Sequence, residues 1–266
     1  AIVNESSENI STLRAVEQWI NCLARSAHHK NDVNEQIKQL MEAIQYGESL
    51  LSLGKTSERF CIMGGIYKRL AEIAQDPQNI ENYLSKASEY YHQGEKCQRK
   101  LSMPNPYAML NAWTIDAIRG NSMEHAELML ERGKAMARRR FEENQNAWDM
   151  IMVADLSLIQ SYLSGNLKND IKSLTDTYLQ AFLESGANAR ERDSANHNLS
   201  FMITMMKKLV LNKKADKETK TIIQSLEEIY KALNPTIHAL EQPITSEATQ
   251  KTAVTKKKTS ETKNKA

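Results

Sequence analysis

Proline and glycine are scarce in this sequence, five and nine residues out of 266, and aromatic residues make up only 6%. A sheet-based domain joins its strands through tight turns that call for Gly, Pro and Asn, so this scarcity speaks against a β or α/β fold. Ala, Leu, Met, Glu, Lys and Gln are frequent instead, the residues that lose least on entering a helix interior. Cysteine is rare too. The three present, Cys22, Cys61 and Cys97, are an odd number, lie 39 and 36 positions apart and fall in stretches with helical periodicity. They read as reduced, packed thiols rather than a disulfide framework or a zinc site.

Long apolar runs are also missing. No window reaches the roughly 18–20 uninterrupted apolar residues of a membrane-spanning helix, and the opening AIVNESSENI lacks the basic-then-apolar profile of a signal peptide. The expectation is a soluble, cytoplasmic protein with no membrane partner. The chain starts with Ala1 rather than Met, as a processed product or a segment of something longer would. Charge of one sign is absent from most of the chain as well. The formal net charge is +2, but residues 235–266 hold six Lys and three Glu, leaving 29 Lys and Arg against 30 Asp and Glu in residues 1–234. A near-neutral body has no net field of the kind that draws a protein to nucleic acid.

What the sequence has in abundance is apolar residues recurring every three and four positions, the mark of amphipathic helices with one buried face. The pattern predicts about ten helices, near 8–27, 33–52, 57–75, 79–101, 106–118, 122–141, 146–164, 168–185, 190–211 and 217–233. Short breakers separate them, at Gly54 to Ser57, Asp76-Pro77, Met103 to Pro106, Gly120 to Ser122, Gly165-Asn166 and Gly186 to Asn188, each the length that joins antiparallel neighbours. Ser57 and Ser122 are placed to cap helix starts. Past about residue 243 the chain is Thr, Lys, Glu and Ser with almost no large apolar side chain, so a disordered tail is expected from 235 to 266, Lys256-Lys257-Lys258 included.

The helices pair into repeats. Phe60-x-x-Met63-Gly64-x-x-Tyr67 has the large, apolar, small, aromatic spacing of a tetratricopeptide first helix, and Ala87-x-x-x-Tyr91-x-x-Gly94 the small, large, small spacing of its partner. Weaker copies follow the same scheme: Trp19-x-x-Cys22-Leu23 with Ala43-x-x-x-Gly47-x-x-Leu50, Tyr107-x-x-Leu110-Asn111-x-x-Thr114 with Ala126-x-x-x-Leu130-x-x-Gly133, and Trp148-x-x-Ile151-Met152 with Leu174-x-x-x-Tyr178-x-x-Ala181. The leading residues Trp19, Phe60, Tyr107 and Trp148 are 41, 47 and 41 positions apart, longer than the usual period of about 34. A fifth pair, about 190–233, keeps the periodicity without the signature and suits a polar terminal cap.

The runs Ser57 to Ala71 and Asn105 to Ala112 resemble the tetratricopeptide regions attached to caspase-like (CHAT) peptidases and related effectors of bacterial conflict systems. That resemblance implies a regulatory module that senses or holds a partner while a separate domain does the chemistry. It implies a role in bacterial defence with a protease effector as the controlled partner, this chain being its regulatory part or a stand-alone partner; an attached effector is expected N-terminal, since the Lys-rich tail reads as a C-terminus. No strand-rich segment that could carry a Cys-His dyad is present here.

The candidates for chemistry are thin. Cys61 could be drawn as a nucleophile with one of the six His, but a mid-helix Cys on a signature turn reads as packing. His28 and His29 diverge by about 100° on a helix and cannot readily share one metal. Gly64-Gly65 lacks the Lys-Ser/Thr and the preceding strand of a phosphate loop and reads as close helix approach. The reading is therefore non-enzymatic, with no cofactor and no metal. Met150, Met152, Met202, Met205 and Met206, at helical spacing, read as core.

Two surfaces remain. In an all-α solenoid of five helix pairs over residues 1–234, stacked right-handed, the first helices line a concave groove. The repeat register places Glu58, Cys61, Gly65 and Lys68, then Asn105, Ala108, Ala112 and Ile115, then Asn146, Asp149 and Val153 on that wall. Glu58, Cys61, Lys68, Asn105, Asn146 and Asp149 are the candidate ligand-binding set for a protein or peptide partner, with Lys68 and Asp149 the charges expected to be free. The alternative is a nucleic-acid-binding helical protein that uses a basic strip of Arg132, Lys134, Arg138, Arg139 and Arg140, able to hold phosphates, together with the basic tail. Glu131, Glu142 and Glu143 flank it and can neutralise it within a helix turn, which favours a solvated face.

Overall fold

A computed structural model describes residues 2–101, 104–121, 125–210 and 217–241. Among these residues the chain forms ten α-helices, one short 3-10 turn at Ala27–His29 and no strand. In chain order they are α1 (Ile2–Ser26), α2 (Val33–Leu53), α3 (Ser57–Ile73), α4 (Pro77–Gln98), α5 (Tyr107–Arg119), α6 (Ala126–Asn144), α7 (Ala147–Leu163), α8 (Ile171–Ser185), α9 (Ala189–Val210) and α10 (Lys217–Glu241). The all-α repeat architecture stands as the periodicity predicts. Helix α10 runs past residue 234, and the rest of the Lys-rich tail, with Lys256 to Lys258, lies outside the described residues, as does the expected cap Ser122.

Local chemistry sets most helix starts. Asp32, Thr56, Asp76 and Asn146 each present a side-chain oxygen to a free amide of the first turn, and Pro77 opens α4 where its missing N–H costs nothing. Thr56, not Ser57, caps α3: its hydroxyl accepts from the Arg59 amide at 3.2 Å. Gly120 and Gly186 end α5 and α8 with φ of 71° and 61°, the left-handed conformation that closes a helix at least cost without a Cβ.

Packing follows the strong signature. Met63, Tyr67, Ala87 and Tyr91 are buried, and a Cβ on Gly64 would lie 2.8 Å from the Tyr91 ring, so α3 and α4 approach to a distance only glycine permits. The third position of the second-helix pattern has a role of its own. Where Gly47, Gly94 and Gly133 lack a Cβ, Met63, Ala108 with Cys61, and Met109 with Leu156 fill the space. These glycines receive neighbouring first helices, including those of the following pair. The leading large residues behave less uniformly. Phe60 is buried at 7% exposure, but Trp19, Tyr107 and Trp148 are 47%, 46% and 38% exposed. Trp19 packs edge-on against Tyr46, and Tyr107 and Trp148 turn toward the inner side of the array. Their spacing matches the signature; their packing does not.

The fifth pair is the chief departure from the sequence reading. Helix α9 buries Ala195, Leu199, Phe201, Met202, Met205 and Met206, and it touches α3, α4, α5 and α7 as well as its partner α10. A terminal polar cap would contact only the preceding pair. Here α9 instead lies across the inner face of the array and closes it. The methionines read as core are buried at 152, 202, 205 and 206, with Met150 partly buried against the same cluster.

Candidate functional site

Closure by α9 converts an open groove into a partly enclosed cavity of about 440 Å³. First helices supply nearly all of its wall: Asn21 and Arg25 from α1, Glu58 to Glu72 from α3, Leu110 and Asn111 from α5, Trp148 to Asp155 from α7, and Ser194 to Asn198 from α9. Tyr91 from α4, Arg140 from α6, Tyr107 at the start of α5 and Asn105 and Asn146 just before α5 and α7 complete it. All six residues of the expected binding set, Glu58, Cys61, Lys68, Asn105, Asn146 and Asp149, border this one cavity. Among the other expected wall residues Gly65 borders it too, whereas Ala108, Ala112, Ile115 and Val153 are buried in the core.

The six do different jobs. Asn105 and Asn146 occupy equivalent positions one repeat apart, each accepting the amide two residues on, from Tyr107 at 2.9 Å and Trp148 at 3.1 Å. Their carboxamide oxygens are committed to starting α5 and α7. Burial, and then the nearby Glu58 carboxylate, push the Cys61 thiol up to about 12, so it stays protonated and a poor nucleophile. Desolvation and Glu17 raise the Glu58 carboxyl at the exposed rim.

Lys68 and Asp149 are not free groove charges. Lys68 is covered by α9: its ammonium lies 4.2 Å from the Phe201 ring centroid and donates to Asn198 Oδ1 at 3.2 Å. Burial lowers its pKa to about 8. Asp149 is 1% exposed, pairs with Arg140 Nε at 3.1 Å, and keeps Oδ2 buried with no protein partner. Beside Lys68, burial raises the Asp155 carboxyl to about 6 even though Tyr178 donates to it at 2.6 Å. For Glu72 burial works upward, but His197, Lys68 and Arg69 outweigh it and hold the carboxyl below its usual range.

The basic strip divides. Arg132, Arg138 and Arg139 are exposed, with Arg139 paired to Glu143 at 3.3 Å. Lys134 is buried and held by Glu131 and Gln160, both at 2.6 Å. Arg140 leaves the strip altogether and turns to Asp149 in the cavity wall. The strip of five is therefore a patch of three, because helix geometry points residues two and eight positions after Arg132 toward the neighbouring α7.

Sequence reasoning missed Arg25, Arg69, Glu72, Asp155, His197 and Asn198. Arg69 carried a faint signal as the neighbour of Lys68 on the inner side of α3. The α9 residues carried none, since nothing local announces which earlier helices a terminal helix will touch. Among the described residues neither Arg25 nor Arg69 has a carboxylate within 4 Å.

Residues 2–116 match a family model described as Tetratricopeptide Repeats-Sensor. The match makes this stretch a tetratricopeptide-like repeat region, and it begins at the first helix pair, where the signature is faint, and ends within α5. No curated protein and no solved structure matches the chain. No helix among the described residues is long and apolar enough to cross a membrane.

Proposed function

We propose that this chain is a non-catalytic recognition module that senses a compact polar ligand, or the tip of a partner protein, in its central cavity. One observation carries the reading: α9 packs across α3, α5 and α7, so the inner face is a cavity of about 440 Å³ and not an open trough. An extended peptide or a partner helix needs a continuous groove, whereas a volume of this size suits a small molecule or a few side chains. The orphaned Asp149 Oδ2 in the wall supports it, since a buried acceptor without a partner is costly unless something donates to it. The match to a family described as a sensor points the same way.

Binding would be reported through α9, the wall element that ties the last pair to the three pairs before it. A ligand that favours the closed array over the open one shifts that equilibrium by its differential affinity. Control of an effector, in particular a caspase-like peptidase in bacterial defence, rests on the resemblance of Ser57 to Ala71 and Asn105 to Ala112. The basic patch supports nucleic-acid binding less, with two of its five residues turned inward.

Native mass spectrometry of the chain incubated with a host-cell extract tests the reading. One small molecule retained at unit stoichiometry, together with a raised melting temperature, is the expected result. Bare protein and no thermal shift, with generic RNA bound in a steeply salt-dependent manner, would replace it with the nucleic-acid alternative.

A further inference from the structure

We propose that the end of the cavity formed by α1, α3 and α5 is an oxyanion subsite built on Arg25 and Arg69, so that the sensed molecule carries a carboxylate or phosphate group. The proposal rests on the reading that the cavity is the sensing site.

Accounting for charge around the wall isolates these two residues. Arg140 is spent on Asp149 at 3.1 Å, and His197 on Glu72 at 3.3 Å. Lys68 is held by Asn198 and Phe201 and lies within the electrostatic reach of Glu72 and Asp155. What remains without a carboxylate within 4 Å among the described residues is Arg25 and Arg69, with Glu72 in the electrostatic reach of Arg69 and Glu58 at the rim. Arg25, Arg69 and Tyr107 line the same cavity, and both guanidiniums oppose the burial that raises the Tyr107 hydroxyl. Arg69 places one Nη1 hydrogen on the Gly65 carbonyl at 2.8 Å, which orients the group and leaves its other donors for a ligand. Two guanidiniums without a directly paired carboxylate, in a wall that also offers Asn21, Asn111 and Tyr107, match the planar, multidentate demands of an oxyanion.

Gly65 gives a second, independent observation. Gly64 is required by helix packing, but Gly65 is not. A Cβ there would meet only the far end of Arg69, 3.3 Å from Nη1, and the Tyr91 hydroxyl at 3.6 Å. The missing side chain leaves room in the cavity at the place where Arg69 presents its donors.

Thermal shift and calorimetric titration with sodium phosphate, and separately with sodium succinate, test the subsite against sodium chloride at matched ionic strength. The wild type should show saturable stabilisation by at least one of the two, and which one distinguishes a phosphate from a carboxylate ligand. Arg69→Gln and Arg25→Gln should each weaken binding by about tenfold or more, as expected when a charge-assisted hydrogen bond is lost. Arg138→Gln with Arg139→Gln should bind like the wild type. Gly65→Ala guards against a folding artefact: alanine suits a helix interior better than glycine, so this variant should melt no lower than the wild type yet bind more weakly. No saturable effect of either anion, or affinity unchanged in both Arg69→Gln and Gly65→Ala, overturns the subsite. A molecule from extract that is retained equally by wild type and Arg69→Gln also refutes it while leaving the cavity as the sensing site.

Discussion

The ammonium group of Lys68 on α3 lies 4.2 Å from the centroid of the Phe201 ring on α9, and it donates to Asn198 one turn earlier on the same helix. That relationship helps to seat the last helix pair, which also packs through α10 on α8. It also changes what a substitution at Lys68 should do. An exposed groove lysine could be replaced at a cost of no more than about 0.5 kcal/mol. A half-buried one that holds a cation–π contact beside Asp155 should cost about 1–2 kcal/mol on Lys68→Met. Denaturant unfolding measures the difference. Hydrogen exchange should show the α9 amides losing protection before those of α3 and α4. Full stability with unchanged α9 protection would mean that Lys68 does not secure the closure.

A second prediction concerns Asp149. Removing its partner with Arg140→Met strands a carboxylate that is almost wholly buried and already has one oxygen without a partner, so a loss of about 3 kcal/mol or more is expected. The double variant Arg140→Met with Asp149→Asn should recover part of that loss. A double-mutant cycle reads the coupling directly, and simple additivity would show that the pair contributes nothing as a pair.

The two adjacent glycines of α3 should respond in opposite ways. Gly64→Ala drives a methyl into the Tyr91 ring, which would lie 2.8 Å away, and should destabilise by about 1–3 kcal/mol. Gly65→Ala meets only a flexible guanidinium end and a hydroxyl, and should be neutral or stabilising by up to about 1 kcal/mol. Equal effects at both positions would contradict the repeat register.

Asp155 carries a pH dependence with a defined sign. Burial raises its folded pKa from 3.8 to about 6, with Tyr178, Asn198 and Lys68 facing it and working in the other direction. The stability contributed by the protonated acid is therefore fully present below about pH 4 and is lost as pH rises through about 6. Asp155→Asn removes that titration. Relative to the wild type, the variant should gain on the order of 2–3 kcal/mol between pH 4 and 7, read from chemical denaturation across that range. A constant difference across that range would place Asp155 in a more polar setting than its burial implies.

Much of the fold was legible because helices are written locally. Apolar spacing, capping residues and breakers act within a few positions, and they placed ten helices whose ends differ from the structure by a few residues at most interior boundaries. The small, large, small pattern was legible for the same reason, since a missing Cβ at Gly64 or Gly94 constrains the neighbouring helix whatever lies further away. The inner wall was legible in part: a repeat register says which face of α3, α5 and α7 points inward, and Glu58, Cys61, Lys68, Asn105, Asn146 and Asp149 all border the cavity.

What the register does not say is whether a side chain on that face is free. Asn105 and Asn146 are engaged by their own helix starts, Asp149 by Arg140, and Lys68 by a helix that begins only at Ala189. Sequence by itself determined an all-helical repeat chain, its pairing and its inward face, because these depend on contacts between near neighbours. Tertiary structure alone decided that α9 folds back over the first helices, that the groove becomes a cavity and that Arg25 and Arg69 stand there without carboxylate partners. That outcome depends on the accumulated curvature of the array and on apolar burial between helices more than a hundred residues apart, which no local spacing encodes.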